Sequence, residues 1–153
     1  MAKVLVVEDE LKQQLIIFKI LKTLGIKIIF ADNGLEALEL VKKHCPDLIV
    51  LDIIMPQMNG YEVCRRLKAN QKTQNIPVLM YSAKEIEDCD LYWADKQGAD
   101  AYLSKLCHPQ ELINTVKCLL RKQLPMHSWS TNKEKDPYPP NSLLFFNCSQ
   151  FYS

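Results

Sequence analysis

Leu48-Ile49-Val50-Leu51-Asp52 is an unbroken apolar run that ends on an acid. Four consecutive apolar residues show no polar alternation, so a strand built from them is covered on both faces. Such strands belong to parallel sheets with helices on each side. Working outward from this run, Val4-Leu5-Val6-Val7 is a second short β-branched stretch, and it also ends in acids. Ile26 to Phe30, Pro77 to Tyr81 and Ala101 to Ser104 supply three further strand candidates, with proline tolerated at a strand start.

Helical spacing fills the gaps between them. Leu11, Leu15, Phe18 and Leu21 recur on one stripe, and Ala37, Leu38 and Val41 form another behind a capping Asn33. Gly60, Val63, Cys64 and Leu67 trace a third helical face. Ile86, Cys89, Trp93 and Ala94 trace a fourth, with Gly98 as a helix stop. Leu112, Ile113, Val116, Leu119 and Leu120 form the last, with Pro109 suited to a first helical position. Five strands alternating with five helices, joined by right-handed crossovers, predict a doubly wound parallel α/β sheet of flavodoxin-like order 2-1-3-4-5.

The chain has 153 residues and a formal net charge of +1, so nothing favours a polyanion such as nucleic acid as a direct partner. Of the six cysteines, at positions 45, 64, 89, 107, 118 and 148, none forms a CxxC pair or has zinc-finger spacing. No apolar stretch is long enough to span a bilayer, and no signal-peptide core is visible. A cytoplasmic setting with no membrane partner is expected. Composition shifts near Leu124, where prolines and polar residues replace helical periodicity. The division expected is a domain over 1–123 and a partly disordered tail over 124–153, without an output domain. Leu143 to Phe146 and Phe151-Tyr152 are apolar knots in that tail, suited to loose packing or to docking.

In a parallel sheet of this order the ligand site lies beyond the carboxyl ends of the strands, between strands 1 and 3. Glu8-Asp9-Glu10, Asp52, Ser82-Ala83 and Lys105 all fall at those ends. Taken singly, each is an ordinary turn, cap or solvated residue. Together they bring carboxylates, a hydroxyl and an ammonium to one sheet edge. Clustered carboxylates need a cation or raised pKa values, and oxygen ligands suit Mg²⁺. The set suits phosphoryl transfer to an aspartate, with the metal and Lys105 neutralising phosphoryl oxygens and Ser82 donating a hydrogen bond.

Four segments then carry a resemblance: Val4-Leu5-Val6-Val7-Glu8-Asp9-Glu10, the run from Leu51-Asp52-Ile53-Ile54-Met55-Pro56 through Gly60-Tyr61-Glu62, Tyr81-Ser82-Ala83-Lys84, and Gly98 through Lys105. Together they resemble the response-regulator receiver family over roughly residues 2–122. The resemblance implies Asp52 as phosphoacceptor, and Glu8 and Asp9 as an acidic pair binding Mg²⁺ with Asp52 and the backbone carbonyl of Ile54. It also implies Ser82 as switch hydroxyl, Tyr102 as switch aromatic and Lys105 as the family's lysine, in a domain that catalyses its own phosphorylation and dephosphorylation. Implied partners are a sensor histidine kinase or phosphotransfer protein, a second copy of the chain, and a target read through the face of helix 4, strand 5 and helix 5. Tyr92 and Trp93 lie near that face; core packing for one and chance exposure for the other is an equal alternative.

This chain departs from the family where a Lys-Pro step, generally cis, is replaced by Lys105-Leu106. A cis bond before a non-proline costs ~3 kcal/mol. Either the loop keeps a strained cis bond, or it is trans and Lys105 reaches the site by another path. A flavin-binding flavodoxin is excluded because three acids stand where its phosphate loop would be. A haloacid-dehalogenase-type phosphatase is excluded because Ile54 stands where its second aspartate would be. The remaining rival is a receiver fold used as an interaction module with weak or absent phosphorylation.

Overall fold

The computed structural model describes residues 1–83 and 87–121. The boundary expected near Leu124, the tail beyond it and Ile86 lie outside these residues. In chain order the elements are β1 (Lys3–Val7), α1 (Leu11–Leu21), β2 (Lys27–Ala31), α2 (Gly34–His44), β3 (Leu48–Leu51), α3 (Gly60–Ala69), β4 (Val78–Ser82), α4 (Asp88–Lys96), β5 (Ala101–Ser104) and α5 (Pro109–Arg121), with a short 3-10 turn at Lys22–Leu24. All strand pairs are parallel and the order is β2-β1-β3-β4-β5. The α/β flavodoxin-like arrangement read from the sequence is the one observed.

Strand side chains alternate between two cores. Leu5, Val7, Ile49, Leu51, Val78, Met80 and Tyr102 face α2, α3 and α4. Val4, Val6, Leu48, Val50, Leu79, Tyr81, Ala101 and Leu103 face α1 and α5. Both faces are dry, so no strand needs polar alternation. Helix termini follow local chemistry. Asn33 and Asn59 cap α2 and α3 by accepting from the N–H groups of Glu36 (2.8 Å) and Glu62 (3.0 Å). Beyond α4, Gly98 adopts φ +84°. Its N–H reaches the Asp95 carbonyl while the Ala99 N–H reaches that of Ala94, a paired C-terminal closure that favours glycine.

Two helical stripes need correction. On α1 the buried residues are Gln14, Ile17 and Leu21. Leu11 (68%), Leu15 (53%) and Phe18 (43%) are exposed instead. This helix is apolar on most of its surface, so spacing alone allows more than one inward face. The slot between β1, β3 and α5 takes Ile17 and Leu21. On α4 the buried residues are Asp90 and Ala94, while Cys89, Tyr92 and Trp93 are exposed. Asp90 turns inward because its carboxylate accepts the N–H of Glu87, closing a capping box at the helix start.

The two α1 faces separate cleanly by mutation. Ile17→Ala is expected to cost about 2–4 kcal/mol of stability through a buried cavity. Leu15→Ala is expected to stay within about 0.5 kcal/mol, as at an exposed site. Urea denaturation of the two variants tests this, and equal losses would contradict the observed rotation of α1.

Candidate functional site

The ladder of the sheet runs one residue past the strands. The Glu8 N–H donates to the Ala31 carbonyl (3.0 Å), the Asp52 N–H to that of Val7 (3.1 Å) and the Lys105 N–H to that of Ser82 (2.6 Å). Glu8, Asp52 and Lys105 are therefore fixed by backbone bonds to neighbouring strands before their side chains interact. All three leave the same edge because every strand is parallel. The order in which strands are added reverses between β1 and β3, which opens the crevice between them.

Behind Asp52, Gly60 begins α3 in near contact with the loop. Its N–H donates to the Ile53 carbonyl at 2.8 Å. A Cβ at Gly60 would stand 2.2 Å from the Asp52 carbonyl oxygen and 2.8 Å from the Ile53 Cα, so any larger residue displaces the backbone that carries Asp52.

Carboxylate oxygens of Glu8, Asp9 and Asp52 lie within 4.8 Å of one another. Glu8 and Asp52 are buried and Asp9 is exposed. The Lys105 ammonium forms an ion pair with Glu8 Oε2 and stands 3.5 Å from Asp52 Oδ2. The Glu10 N–H donates to Glu8 Oε1 at 3.2 Å, and the Asp52 carboxylate accepts from the backbone N–H groups of Ile54 and Ile53. Burial raises the pKa of Glu8 above the ordinary carboxylate range, opposed by hydrogen bonding and attraction from Lys105. Burial raises that of Asp52 too, opposed first by the charge of Lys105. When ionised, the three acids leave a surplus of negative charge that one ammonium does not cancel. That surplus, presented by oxygen atoms on a rigid edge, fits a small hard dication.

Ser82, at the end of β4, and Tyr102, within β5, are fully buried, and neither hydroxyl makes a well-formed hydrogen bond. Burial raises the pKa of Tyr102, with the neighbouring Ser82 and Tyr61 partly offsetting it. A buried hydroxyl left unbonded costs about 1–3 kcal/mol, so Ser82 gains by any acceptor that arrives. Thiol chemistry is not favoured at the buried Cys64, whose pKa is pushed up to about 12 by burial.

The structure thus brings Glu8, Asp9, Asp52 and Lys105 together, with Ser82 at the adjoining end of β4 and Tyr102 within β5. The Lys105-Leu106 bond is trans, since no described peptide bond is cis, and Lys105 still reaches the acids. Tyr92 and Trp93 are both exposed, at 56% and 55%, and pack edge-on at 5.6 Å; neither enters the core. Sequence reading passed over Gln14. It is buried on α1, and its amide bonds the Glu8 carbonyl (2.7 Å) and Asp32 Oδ1 (2.8 Å), bracing the β1 end. Gln13 and Gln14 stand side by side in the helix, and nothing in the sequence distinguishes the one that is buried. Tyr81 was read only as a strand residue, yet its ring lies 5.8 Å from the Lys105 ammonium.

Residues 4–117 match the family model of the response regulator receiver domain. Protein PilH of Pseudomonas aeruginosa is 31% identical over 120 residues, which cover 78% of this chain and 98% of PilH. The probable transcriptional regulator ycf27 of Porphyra purpurea is 38% identical over 120 residues, 78% of this chain. The chain spans only 48% of that regulator's length. The chemotaxis protein CheY4 of Vibrio cholerae superposes with a TM-score of 0.73 at 28% identity, covering 78% of this chain and 98% of CheY4.

The raised acids set a sign for pH dependence. A folded state that holds protons to higher pH than the unfolded chain loses stability as pH rises from the ordinary carboxylate range through the raised values. Metal-free protein is therefore expected to be more stable near the lower end of that window than at neutral pH, as far as this pair is concerned. Asp52→Asn removes one buried charge. It is expected to raise metal-free stability at pH 7 by roughly 1 kcal/mol, or about 2–4 °C in Tm, and to flatten the pH dependence. Calorimetry in EDTA measures both, and a lower Tm for Asp52→Asn would contradict it.

Proposed function

The chain belongs to the response regulator receiver domain family, and we propose that within it the chain is a phosphoryl-accepting switch with Asp52 as the acceptor. The observation that carries this reading is the convergence of the Glu8, Asp9 and Asp52 carboxylates within 4.8 Å, with the Lys105 ammonium beside them. A carboxylate oxygen of Asp52 attacks the phosphorus of a phosphohistidine in line. The P–N bond breaks, its electron pair returns to the donor imidazole, and an aspartyl phosphate forms.

Mg²⁺ held by Glu8, Asp9, Asp52 and the Ile54 carbonyl would supply charge neutralisation for the phosphoryl oxygens. Lys105 moves from its ion pair with Glu8 toward the new phosphoryl charge. The Ser82 hydroxyl donates to a phosphoryl oxygen, ending its unbonded state, and Tyr102 repacks with it. That change biases the face of α4, β5 and α5, where Tyr92 and Trp93 are exposed and available to a target protein or to a second copy of the chain. The phosphodonor is a histidine kinase or phosphotransfer protein. The exposed Leu11, Leu15 and Phe18 on α1 give it apolar area beside the acids. The setting is cytoplasmic. Consistent with it, the described cysteines are thiols rather than disulfides, and no helix among the described residues is long and apolar enough to cross a membrane.

A second reading, an interaction module with weak or no phosphorylation, draws on the engagement of Lys105 by Glu8 and on Leu106. Beryllofluoride with Mg²⁺ separates the two. The switch reading expects amide shifts spreading from Asp52 to Ser82 and Tyr102; an unchanged spectrum would sink it.

Labelling experiments have the following expected outcomes. Acetyl phosphate with Mg²⁺ labels the wild type, EDTA abolishes labelling, and Asp52→Asn does not label. Lys105→Met slows labelling about 10²-fold or more, as for loss of one charge-stabilising donor. Phe18→Glu slows transfer from a phosphorylated protein donor roughly tenfold, by about 1.4 kcal/mol of lost docking, while leaving acetyl phosphate labelling unchanged. Equal effects on both donors would remove α1 from the donor interface. Mg²⁺ at a hundredfold excess over its Kd is expected to stabilise the fold by about 2.7 kcal/mol.

A further inference from the structure

The segment Ser104-Lys105-Leu106-Cys107 is a tight turn between β5 and α5. The Cys107 N–H donates to the Ser104 carbonyl at 3.0 Å, closing the turn. Inside it the Leu106 N–H donates to Ser104 Oγ at 3.0 Å. One residue earlier the Lys105 N–H donates to the Ser82 carbonyl at 2.6 Å. Two successive N–H groups, on either side of the Lys105 Cα, are thereby tied to β4 and to Ser104. Ser104 is itself buried. The backbone angles of Lys105 are held from both directions, and with them the direction in which its side chain leaves.

Leu106 is the second central residue of this turn. Proline there has no N–H to give Ser104. It also pushes the preceding residue out of the helical region, so a turn carrying it at that position closes through a cis bond. The all-trans turn of this chain and the Ser104 hydroxyl bond therefore go together: both fit a residue other than proline at position 106, and the hydroxyl bond uses its amide hydrogen. The side chain of Leu106 is 68% exposed and contributes little packing to hold the turn.

We propose that Ser104 is a positioning residue for Lys105, its hydroxyl holding the trans turn in the shape that directs the ammonium to Glu8 and Asp52. A hydroxyl bonding an N–H two residues on is a known local brace for turns. Here it replaces the stiffness that a proline ring supplies by fixing φ. Ser104 acts through Lys105 and does not touch the phosphoryl group. The proposal rests on the reading of Asp52 as phosphoacceptor.

A double-mutant cycle on the full chain tests it, using Ser104→Ala, Ser104→Thr, Leu106→Pro and the combined Ser104→Ala/Leu106→Pro. Two readouts are taken: the initial rate of Asp52 labelling by acetyl phosphate with Mg²⁺, and the ¹⁵N resonance of the Lys105 ammonium in metal-free protein. Ser104→Ala is expected to slow labelling about five- to tenfold, the size of one hydrogen bond's net contribution, and to broaden or shift the ammonium signal. Ser104→Thr keeps the hydroxyl and is expected to stay within about twofold on the same scale. In the Leu106→Pro background, where position 106 has no N–H, Ser104→Ala is expected to add nothing. Labelling of Ser104→Ala within twofold of wild type overturns the proposal, and so does an equal loss in both backgrounds. If wild type itself is not labelled, the phosphoacceptor reading fails. The ammonium signal then decides alone: an unchanged resonance in Ser104→Ala overturns the positioning role, and a changed one that Leu106→Pro makes insensitive supports it.

Discussion

Two carboxylates, Glu8 and Asp52, are held out of water beside a single ammonium, and the surrounding fold is arranged to sustain that unfavourable placement. Burial raises both pKa values and only Lys105 and a few backbone N–H groups oppose it. Left to local forces, the acids would turn outward and hydrate. They do not, because each sits one residue beyond a strand whose other residues are locked between two dry layers. The free energy of burying those aliphatic side chains offsets the electrostatic cost at the edge. The same edge then carries a standing demand for positive charge, which a dication or a rearranged lysine can answer.

Rigidity around the acids is uneven. On the β3 side, Gly60 lets α3 approach the Asp52 backbone so closely that no side chain fits between them. On the β1 side, Gln14 satisfies the Glu8 carbonyl and anchors to Asp32. On the β5 side the brace is lighter: a short trans turn, one hydroxyl and an exposed leucine. The Lys105 backbone is tied on both sides of its Cα, so the movement proposed for its ammonium belongs to the side chain beyond.

The exposed apolar residues are also organised. Leu11, Leu15, Ile16 and Phe18 cover the outer side of α1, while Tyr92 and Trp93 stack edge-on across the sheet on α4. These surfaces belong to opposite layers of the sheet.

Much of this was legible in the linear chain. Uninterrupted apolar runs such as Leu48–Leu51 declare a sheet covered on both faces, and the acids that follow them declare where its carboxylate cluster lies. The α3 stripe of Gly60, Val63, Cys64 and Leu67 reads correctly because polar residues fill the rest of that helix. The α1 stripe does not, because Leu, Ile and Phe occupy most of its circumference and any of several faces satisfies the spacing. Only the space left by β1, β3 and α5 selects Ile17 and Leu21, and only the Glu8 carbonyl and Asp32 explain a buried Gln14. The same division holds for the site. Residue types at strand ends are a property of the sequence, since parallel strands all end at one edge. Which acid Lys105 bonds is decided in three dimensions, by a contact across 97 residues of chain and a turn tied by hydrogen bonds to β4 and to Ser104. Local periodicity cannot encode a partner that is brought near only by folding.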